Sequence, residues 1–474
     1  MLKILTKKNR EDIHSIGKRI LDEIGVKIHD RKIYDLLLAA RAIPDDKDPI
    51  RIYMPEDMVA KYMAQCPKQF KISNRKQEVT EIKNGTKPVY YTSNATHYVR
   101  GTDKCAVEIG IGELTDFVRV IDKLDHVQGI VGTSIKDYAP QYRDFMGFGI
   151  MAQYSYKHLR PCIYTPSGAE AIVEMADIIT DGKPLRDNMF FTLGYSIVSP
   201  LSWSETGLQL FYRTRGYGIP MMINSEPMAG GTSPVTLAGS LAMADAEVIS
   251  GIVINQVMEP GRPCIYNAGF AHVFDMMNAT VLTGAPENAL LQAAGAEMAE
   301  YHGLPCASWA LSDSVMLDAQ AFYEKMITLL AHTAAKVNMV WGIGNIETSK
   351  TISPEGAVID NELIGNCLRF AEGITVDEEH IAYDVIKDTV FNRTFLDANH
   401  TLKHFREEIR LSSFPNRQNR LIWEQKGANS AEEKAKKIVE KILNEKCEIY
   451  LSGVQMNKLK KVQNKWIERI GRGL

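Results

Sequence analysis

The chain has 474 residues, enough for one large barrel with extensions or for two to three average domains. A hydrophobic share of 45% and a charged share of 24% are ordinary for a globular protein, and a formal net charge of −3 leaves no electrostatic footprint for nucleic acid or an anionic membrane. No signal-peptide pattern opens the chain and nowhere do ~18 apolar residues run together, so a cytoplasmic protein without a membrane span is expected.

In chain order, residues 13–24 carry apolar side chains at helical spacing (Ile13, Ile16, Ile20, Leu21, Ile24) and stop at Gly25, a natural C-cap. The pattern predicts two further short helices over 33–38 and 55–64, the latter with Pro55 in its first turn. Between residues 70 and 108 the pattern turns β-like, with FKIS, KPVYYTS, THYVRG and AVEIG separated by turns. Residues 1–112 therefore read as an α+β N-terminal region that completes a barrel.

From residue 113 to 372, the expected barrel core, short apolar runs recur: VQGIVGT, PCIYT, MFFTLGY, IPMMINS, PCIYN, PCASWA and VNMVWG. Successive starts from Pro161 are 28, 30, 44, 42 and 32 residues apart, each long enough for the crossover helix that parallel strands require. Seven such units favour a (β/α)8 TIM barrel over an open doubly wound sheet, with residues 87–91 or 106–109 as candidates for the eighth strand. No GxGxxG or GxxxxGK[ST] follows any strand, which disfavours dinucleotide and P-loop chemistry. Residues 373–474 read as a helical C-terminal appendage, packed on the barrel or on a neighbouring subunit. The seven cysteines are scattered, with no CxxC pair, and no HExxH occurs, so neither a disulfide framework nor a metal site is expected.

Barrel chemistry sits where the strands end, because the βα loops converge there on one mouth. The candidates are Tyr164; Gly194, Tyr195 and Ser196; Ser225 and Glu226; Tyr266 and Asn267; Trp309 through Asp313; and Trp341 with the loop to Glu347. In SEPMAGGTSPVTLAG, Ser233 is placed as an N-cap and Pro234 at the first helical position. Gly230 and Gly231 would let backbone approach a carboxylate or phosphate at that helix N-terminus, while a tight βα turn needs the same glycines for geometry alone. Aromatic residues gather near the strand ends with few charges: Tyr91, Tyr98, Tyr195, Trp203, Tyr266, Trp309 and Trp341. Ring faces attract a quaternary ammonium, which offers no N–H to hydrogen-bond; for any one ring, core packing is the competing reading. Glu226, Asp313 and Glu347 are placed for substrate orientation, with His97 and Glu205 as supporting residues; the competing reading for the acids is a helix cap or an ion pair. No Ser–His–Asp, Cys–His or GxSxG arrangement offers a nucleophile, and no residue is assigned as an acid or base.

The segments ILDEIGVKIHD, RIYMPEDMVAKYMAQCP, AGGTSPVTLAGSLAMADAEVISGIVINQVMEPGRPCIY, LDAQAFYEK, IETSKTISPEGAVIDNELIG and NHTLKHFREEIRLSSFPNR follow one another along nearly the whole chain. In that order they resemble the trimethylamine methyltransferase family, in its branch without pyrrolysine. The resemblance implies a TIM-barrel enzyme, usually a homo-oligomer, that methylates the Co(I) form of a partner corrinoid protein. The corrinoid (cobalamin) travels on that partner, and no tightly bound cofactor is implied for this chain. Trimethylamine enzymes carry pyrrolysine in the barrel, whereas the matching stretch here, 307–313, holds only ordinary residues.

The implied substrate is therefore a small quaternary amine: proline betaine, glycine betaine, L-carnitine or γ-butyrobetaine, the first preferred because the mouth candidates are bulky and apolar. On that reading Tyr98, Tyr195 and Trp309 hold the ammonium, Gly230 and Gly231 hold a carboxylate, and Tyr266 lines the site. Two other readings stay open. One is a TIM-barrel lyase or hydrolase with Glu226 and Asp313 as an acid/base pair; the other is a non-catalytic quaternary-amine binder.

Overall fold

Eight short strands, almost wholly buried, form the centre of the molecule: β1 (Val89–Thr92), β2 (Gly129–Val131), β3 (His158–Arg160), β4 (Leu193–Ser196), β5 (Met221–Asn224), β6 (Cys264–Gly269), β7 (Cys306–Trp309) and β8 (Met339–Ile343). The computed structural model describes residues 3–92, 96–100, 105–392 and 394–472. Neighbouring strands are parallel and pair in chain order, with β8 returning to β1. A bridge between Leu159 and Phe191 joins β3 to the residues leading into β4 and closes the ring. Each strand is followed by a helix: α1 (Ile111–Asp122), α2 (Arg143–Tyr154), α3 (Pro166–Ile179), α4 (Glu205–Arg213), α5 (Leu237–Met258), α6 (Pro286–His302), α7 (Ala319–Ala335) and α8 (Pro354–Glu372). This is the expected (β/α)8 barrel.

The strand that completes it comes from residues 87–91, the first of the two candidates. Val89–Thr92 is buried at every position, as a strand between core and helices must be, whereas Ala106–Glu108 is exposed throughout and pairs instead with Tyr98–Arg100. Along the strands the side chains alternate. Tyr90, Ile130, Leu159, Leu193, Ile223, Tyr266 and Val340 face the helices, while Val89, Tyr91, Val131, Met222, Ile265, Trp309 and Trp341 form the inner cluster.

The two ends of the barrel are finished differently. The hairpin Gln69–Ser73 with Val79–Lys83 brings Phe70, Ile72 and Ile82 against the inner cluster. Ser73 N donates to Met189 O, and Asn338 Nδ2 donates to Lys83 O, so the hairpin plugs the end where the strands begin. At the other end, segments after β8 and β1 make a four-stranded roof (Asn345–Ile346, Thr351–Ile352, Tyr98–Arg100, Ala106–Glu108). Segments after β5 and β6 make a three-stranded one (Met228–Ala229, His272–Asp275, Thr280–Leu282).

The N-terminal helix spans Lys7–Arg19, capped by the Thr6 side chain on Asn9 N, and passes into a wider turn, Ile20–Ile24, before Gly25. Arg31–Ala39 and Glu56–Met63 are the other two N-terminal helices; Pro55 caps the latter from outside its first turn. α5 is apolar and long enough to cross a bilayer by composition, yet most of it is buried within the fold, as in a core helix. It begins at Leu237 with Thr236 as N-cap, later than Ser233, whose amide is held in a turn on Met228 O. In the C-terminal appendage, Ala431–Asn444 packs on α8 and α1, and Gly453–Gly471 on α3 and α2.

Candidate active site

Four rings line one inner wall of the barrel. Tyr91 on β1 stacks on Trp341 of β8, with centroids 5.2 Å apart and planes 20° apart. Phe270, just beyond β6, stacks on Trp309 of β7 at 4.2 Å and 17°, and meets Trp341 edge-on at 6.3 Å. Aromatic pairs favour these offset and edge geometries. Tyr91 can enter the barrel because its neighbour on β2 is Gly129, where a Cβ would lie 1.9 Å from the tyrosine ring.

The facing wall, from β3 to β6, is polar. Asn267 Nδ2 donates to Asn224 Oδ1 (2.9 Å), Asn224 Nδ2 to Ser196 Oγ (3.3 Å), and Ser196 Oγ to Glu226 Oε1 (2.5 Å). Burial raises the Glu226 carboxyl above its ordinary range, against the Ser196 hydrogen bond and with the Glu247 charge behind it. Arg160 extends from β3 over Gly194, where a Cβ would lie 2.6 Å from Nη2. Around this interior Thr133 Oγ1, His158 Nε2, Arg160 Nε, Tyr164 OH, Thr192 Oγ1, Asn267 Oδ1 and Trp309 Nε1 are buried without a hydrogen-bond partner. Folded proteins leave few such atoms unpaired, so their concentration here marks the place where a polar ligand belongs.

The residues singled out from sequence are distributed unevenly about this interior. Trp309 lies within it, with Trp341 and Tyr91, and Glu226 closes the polar chain at its rim. Tyr195 and Tyr266 do not face it, which corrects the expectation for both. Tyr195 packs on α4, where a Cβ at Gly207 would lie 2.6 Å from its ring; Tyr266 donates from its hydroxyl to Asp245 Oδ1 (2.7 Å) on α5. Trp203 also points outward and donates Nε1 to Ser250 Oγ. For Tyr195 and Tyr266 the reason is phase, since successive strand residues face opposite sides and these two fall on the helix side; Trp203 lies beyond β4 in a short strand, Ser202–Trp203, that pairs with Val26–Ile28 outside the barrel.

Tyr98 sits in the roof and is 38% exposed, and His97 beside it donates its amide to Lys350 O. The amides of Gly231, Thr232 and Ser233 all donate to Met228 O, and that of Gly230 to Ser233 O, so this turn has no amide left for an anion. Glu205 is exposed at the first position of α4, where its charge suits the helix dipole. Asp313 is a tie between loops: it accepts from Thr283 N (2.8 Å), Thr283 Oγ1 (2.7 Å), Gly284 N (2.9 Å) and Thr348 Oγ1 (3.0 Å). Glu347 accepts from Thr351 Oγ1 (2.6 Å) within the roof. Both Asp313 oxygens are taken up in this tie and Glu226 accepts from Ser196; among the described residues no hydrogen bond links the two acids that the lyase or hydrolase reading would pair.

Sequence reasoning missed Arg160 and Phe270, and it named Asn224 only as part of a strand. Phe270 was discoverable as a ring just past the run PCIYN. Outside the barrel, His14, Asp245 and His302 meet, their ligand atoms within 4.8 Å of one another. They bond each other: His302 Nε2 lies 2.8 Å from Asp245 Oδ1, and His14 Nδ1 lies 3.2 Å from Oδ2. Burial opposes the Asp245 charge, yet the two histidines hold its carboxyl below the usual range. The cluster fastens the N-terminal helix to α5 and α6.

The sequence profile of the trimethylamine methyltransferase (MTTB) family matches residues 1–467. Over 411 residues the chain is 28% identical to the glycine betaine methyltransferase of Desulfitobacterium hafniense strain Y51, covering 86% of this chain and 85% of that one. Over 437 residues it is 28% identical to the trimethylamine methyltransferase MttB of Methanosarcina thermophila, covering 87% and 86%. Among solved structures, the Methanosarcina barkeri monomethylamine methyltransferase MtmB aligns with a TM-score of 0.49 at 13% identity, over 92% of each chain.

Proposed function

The chain belongs to the trimethylamine methyltransferase family, and on that footing we propose that it takes a methyl group from a small quaternary amine and gives it to the Co(I) of a partner corrinoid protein. The observation that carries this reading is the wall of four rings inside the barrel, facing a hydrogen-bonding wall with unpaired polar atoms. Ring faces hold a cation that has no N–H to donate.

The chemistry asks little else of the protein. The N–C bond breaks and its electron pair stays on nitrogen, while Co(I) supplies the pair that forms the new bond to carbon. The amine departs neutral, so no general acid is needed. What remains is to orient one N–CH3 bond toward the mouth and to exclude water, and orientation of this kind supplies roughly 7–11 kcal/mol of a barrier. A carboxylate against the ammonium would favour the ground-state cation; Glu226 stands at the rim of the polar wall, where burial raises its pKa and the Ser196 hydroxyl donates to it. Proline betaine is the preferred substrate, with glycine betaine, L-carnitine and γ-butyrobetaine as the compounds to compare. Homo-oligomerisation belongs to the same reading: Phe370, Ile374, Phe391 and Leu396 are 68%, 88%, 92% and 81% exposed, apolar surface of the kind a second copy covers.

The test is to incubate the purified protein with a Co(I) corrinoid protein and these amines, and to follow the amines by mass spectrometry. A tertiary amine should appear in step with methylated cobalt for at least one of them. Binding of a betaine with no demethylated product would instead favour a non-catalytic binder.

A further inference from the structure

Arg160 is 5% exposed inside the barrel; among the described residues it forms no ion pair, and its Nε has no hydrogen-bond partner. The other deeply buried guanidiniums of this fold are treated differently. Arg262 donates to Ile219 O (2.9 Å), Phe211 O (3.0 Å) and Thr214 Oγ1 (2.9 Å), with Glu259 at 3.6 Å. Arg100, whose Nε is likewise without a partner, has its charge paired with Glu432 at 2.6 Å, so what sets Arg160 apart is the lack of an ion pair among the described residues. A buried charge without a partner is costly enough that folds retain one only for a reason, and the simplest reason is a partner that arrives from solution.

Its position says what that partner is. Gly194, bare of a side chain, leaves the space over which the guanidinium extends. Arg160 is on β3 and Trp309 on β7, four strands apart in an eight-stranded ring, so the guanidinium stands across the interior from the stacked Trp309 and Phe270, while Tyr91, whose hydroxyl meets His158 of β3, lies nearer its own side. A ligand that satisfies both walls carries an anion at one end and a permanently charged nitrogen at the other. We propose that Arg160 anchors the carboxylate of a zwitterionic quaternary amine, and that the site therefore rejects amines such as choline and tetramethylammonium that lack one. This rests on the methyl-transfer reading above and adds the residue that fixes its specificity for a carboxylate. The planar fork of arginine suits a carboxylate, which it grips through two parallel N–H bonds.

The test compares wild type, Arg160→Gln and Arg160→Lys in the full chain. Cobalt methylation is measured with the four betaines, with choline, with tetramethylammonium, and with the methyl ester of the best betaine. Removing one partner of a buried charge pair is expected to raise KM for that betaine by ~100-fold or more in Arg160→Gln, with Arg160→Lys in between. Esterification should cost wild type a similar factor and cost Arg160→Gln little further, because the two changes remove one interaction. Choline or tetramethylammonium turning over as well as the betaines, or an ester penalty undiminished in Arg160→Gln, overturns the anchor and leaves the methyl transfer standing.

Should no amine methylate cobalt, the parent reading fails and calorimetry still decides the anchor. Wild type must then bind a betaine at least ~10-fold more tightly than its ester, with Arg160→Gln losing that preference; equal binding overturns it. Without amine, Arg160→Gln is expected to melt no lower than wild type, since it removes an unpaired buried charge. A clear fall would mean that Arg160 is structural, and would overturn the proposal.

Discussion

At Trp309 packing and chemistry meet in one side chain. The indole is held flat against Phe270, yet its Nε1 is buried without an acceptor, so the ring is fixed while its polar edge is left over. Replacing it by leucine keeps apolar volume and removes the ring face. A desolvated cation–π contact is worth about 2 kcal/mol, so KM for the amine is expected to rise by roughly 10–30-fold in Trp309→Leu; unchanged steady-state kinetics would take Trp309 out of the site. Asp144 offers a different test. Burial pushes its carboxyl up to about 6, although the Phe145, Thr165 and Tyr164 amides donate to it. A folded value above the unfolded one means that its stabilising contribution is complete below pH of about 4 and is lost as pH rises through about 6. Wild type should lose on the order of 3 kcal/mol relative to Asp144→Asn across that window, read by denaturant titration at each pH; parallel profiles would contradict it. At this scale the sequence misleads over phase. PCIYT looks like the strand, but β3 is the three residues before it, so Arg160 reads as part of a loop. Tyr195 and Tyr266 read as mouth residues because runs that are apolar on both faces give no sign of which side is inward.

Among the elements, the roof loops depend on a few side chains. Asp313 joins the end of the β6 roof to the loop after β8, where Glu347, Thr348 and Ser349 all have left-handed backbone (φ 56°, 49° and 71°). Such residues cost about 1–3 kcal/mol each and persist only when their surroundings hold them. Asp313→Ala leaves Thr283, Gly284 and Thr348 without their acceptor, so a loss of at least about 2 kcal/mol in denaturant titration is expected. Faster amide exchange should be confined to residues 280–284 and 345–352, whereas exchange that rises evenly across the chain would contradict the local tie. On the aromatic wall, Gly129→Ala places a Cβ inside the Tyr91 ring and must displace it from Trp341. Overpacking of this kind costs about 1–3 kcal/mol, and the near-ultraviolet circular dichroism of the stacked rings should change with it.

The barrel as a whole was legible because each parallel strand needs a crossover, and the recurring separations record those crossovers directly. The closing strand was half hidden: it lies before the rhythm begins, and only burial separates Val89–Thr92 from Ala106–Glu108. The appendage was legible as helical, with one face on the barrel and much apolar surface left exposed. The interior that would hold a ligand was not legible, because it is assembled from side chains on and just beyond the strands, from Tyr91 on β1 to Trp341 on β8, which are far apart in the chain and meet only when the ring closes. The central claim is that this interior offers a methyl group from a permanently charged nitrogen to reduced cobalt. It is tested most directly by the visible spectrum of a Co(I) corrinoid protein mixed with this chain and the betaine panel. Loss of the Co(I) band with growth of the methyl-Co(III) band, dependent on both amine and enzyme, is expected; a cobalt spectrum that no amine changes would contradict the account.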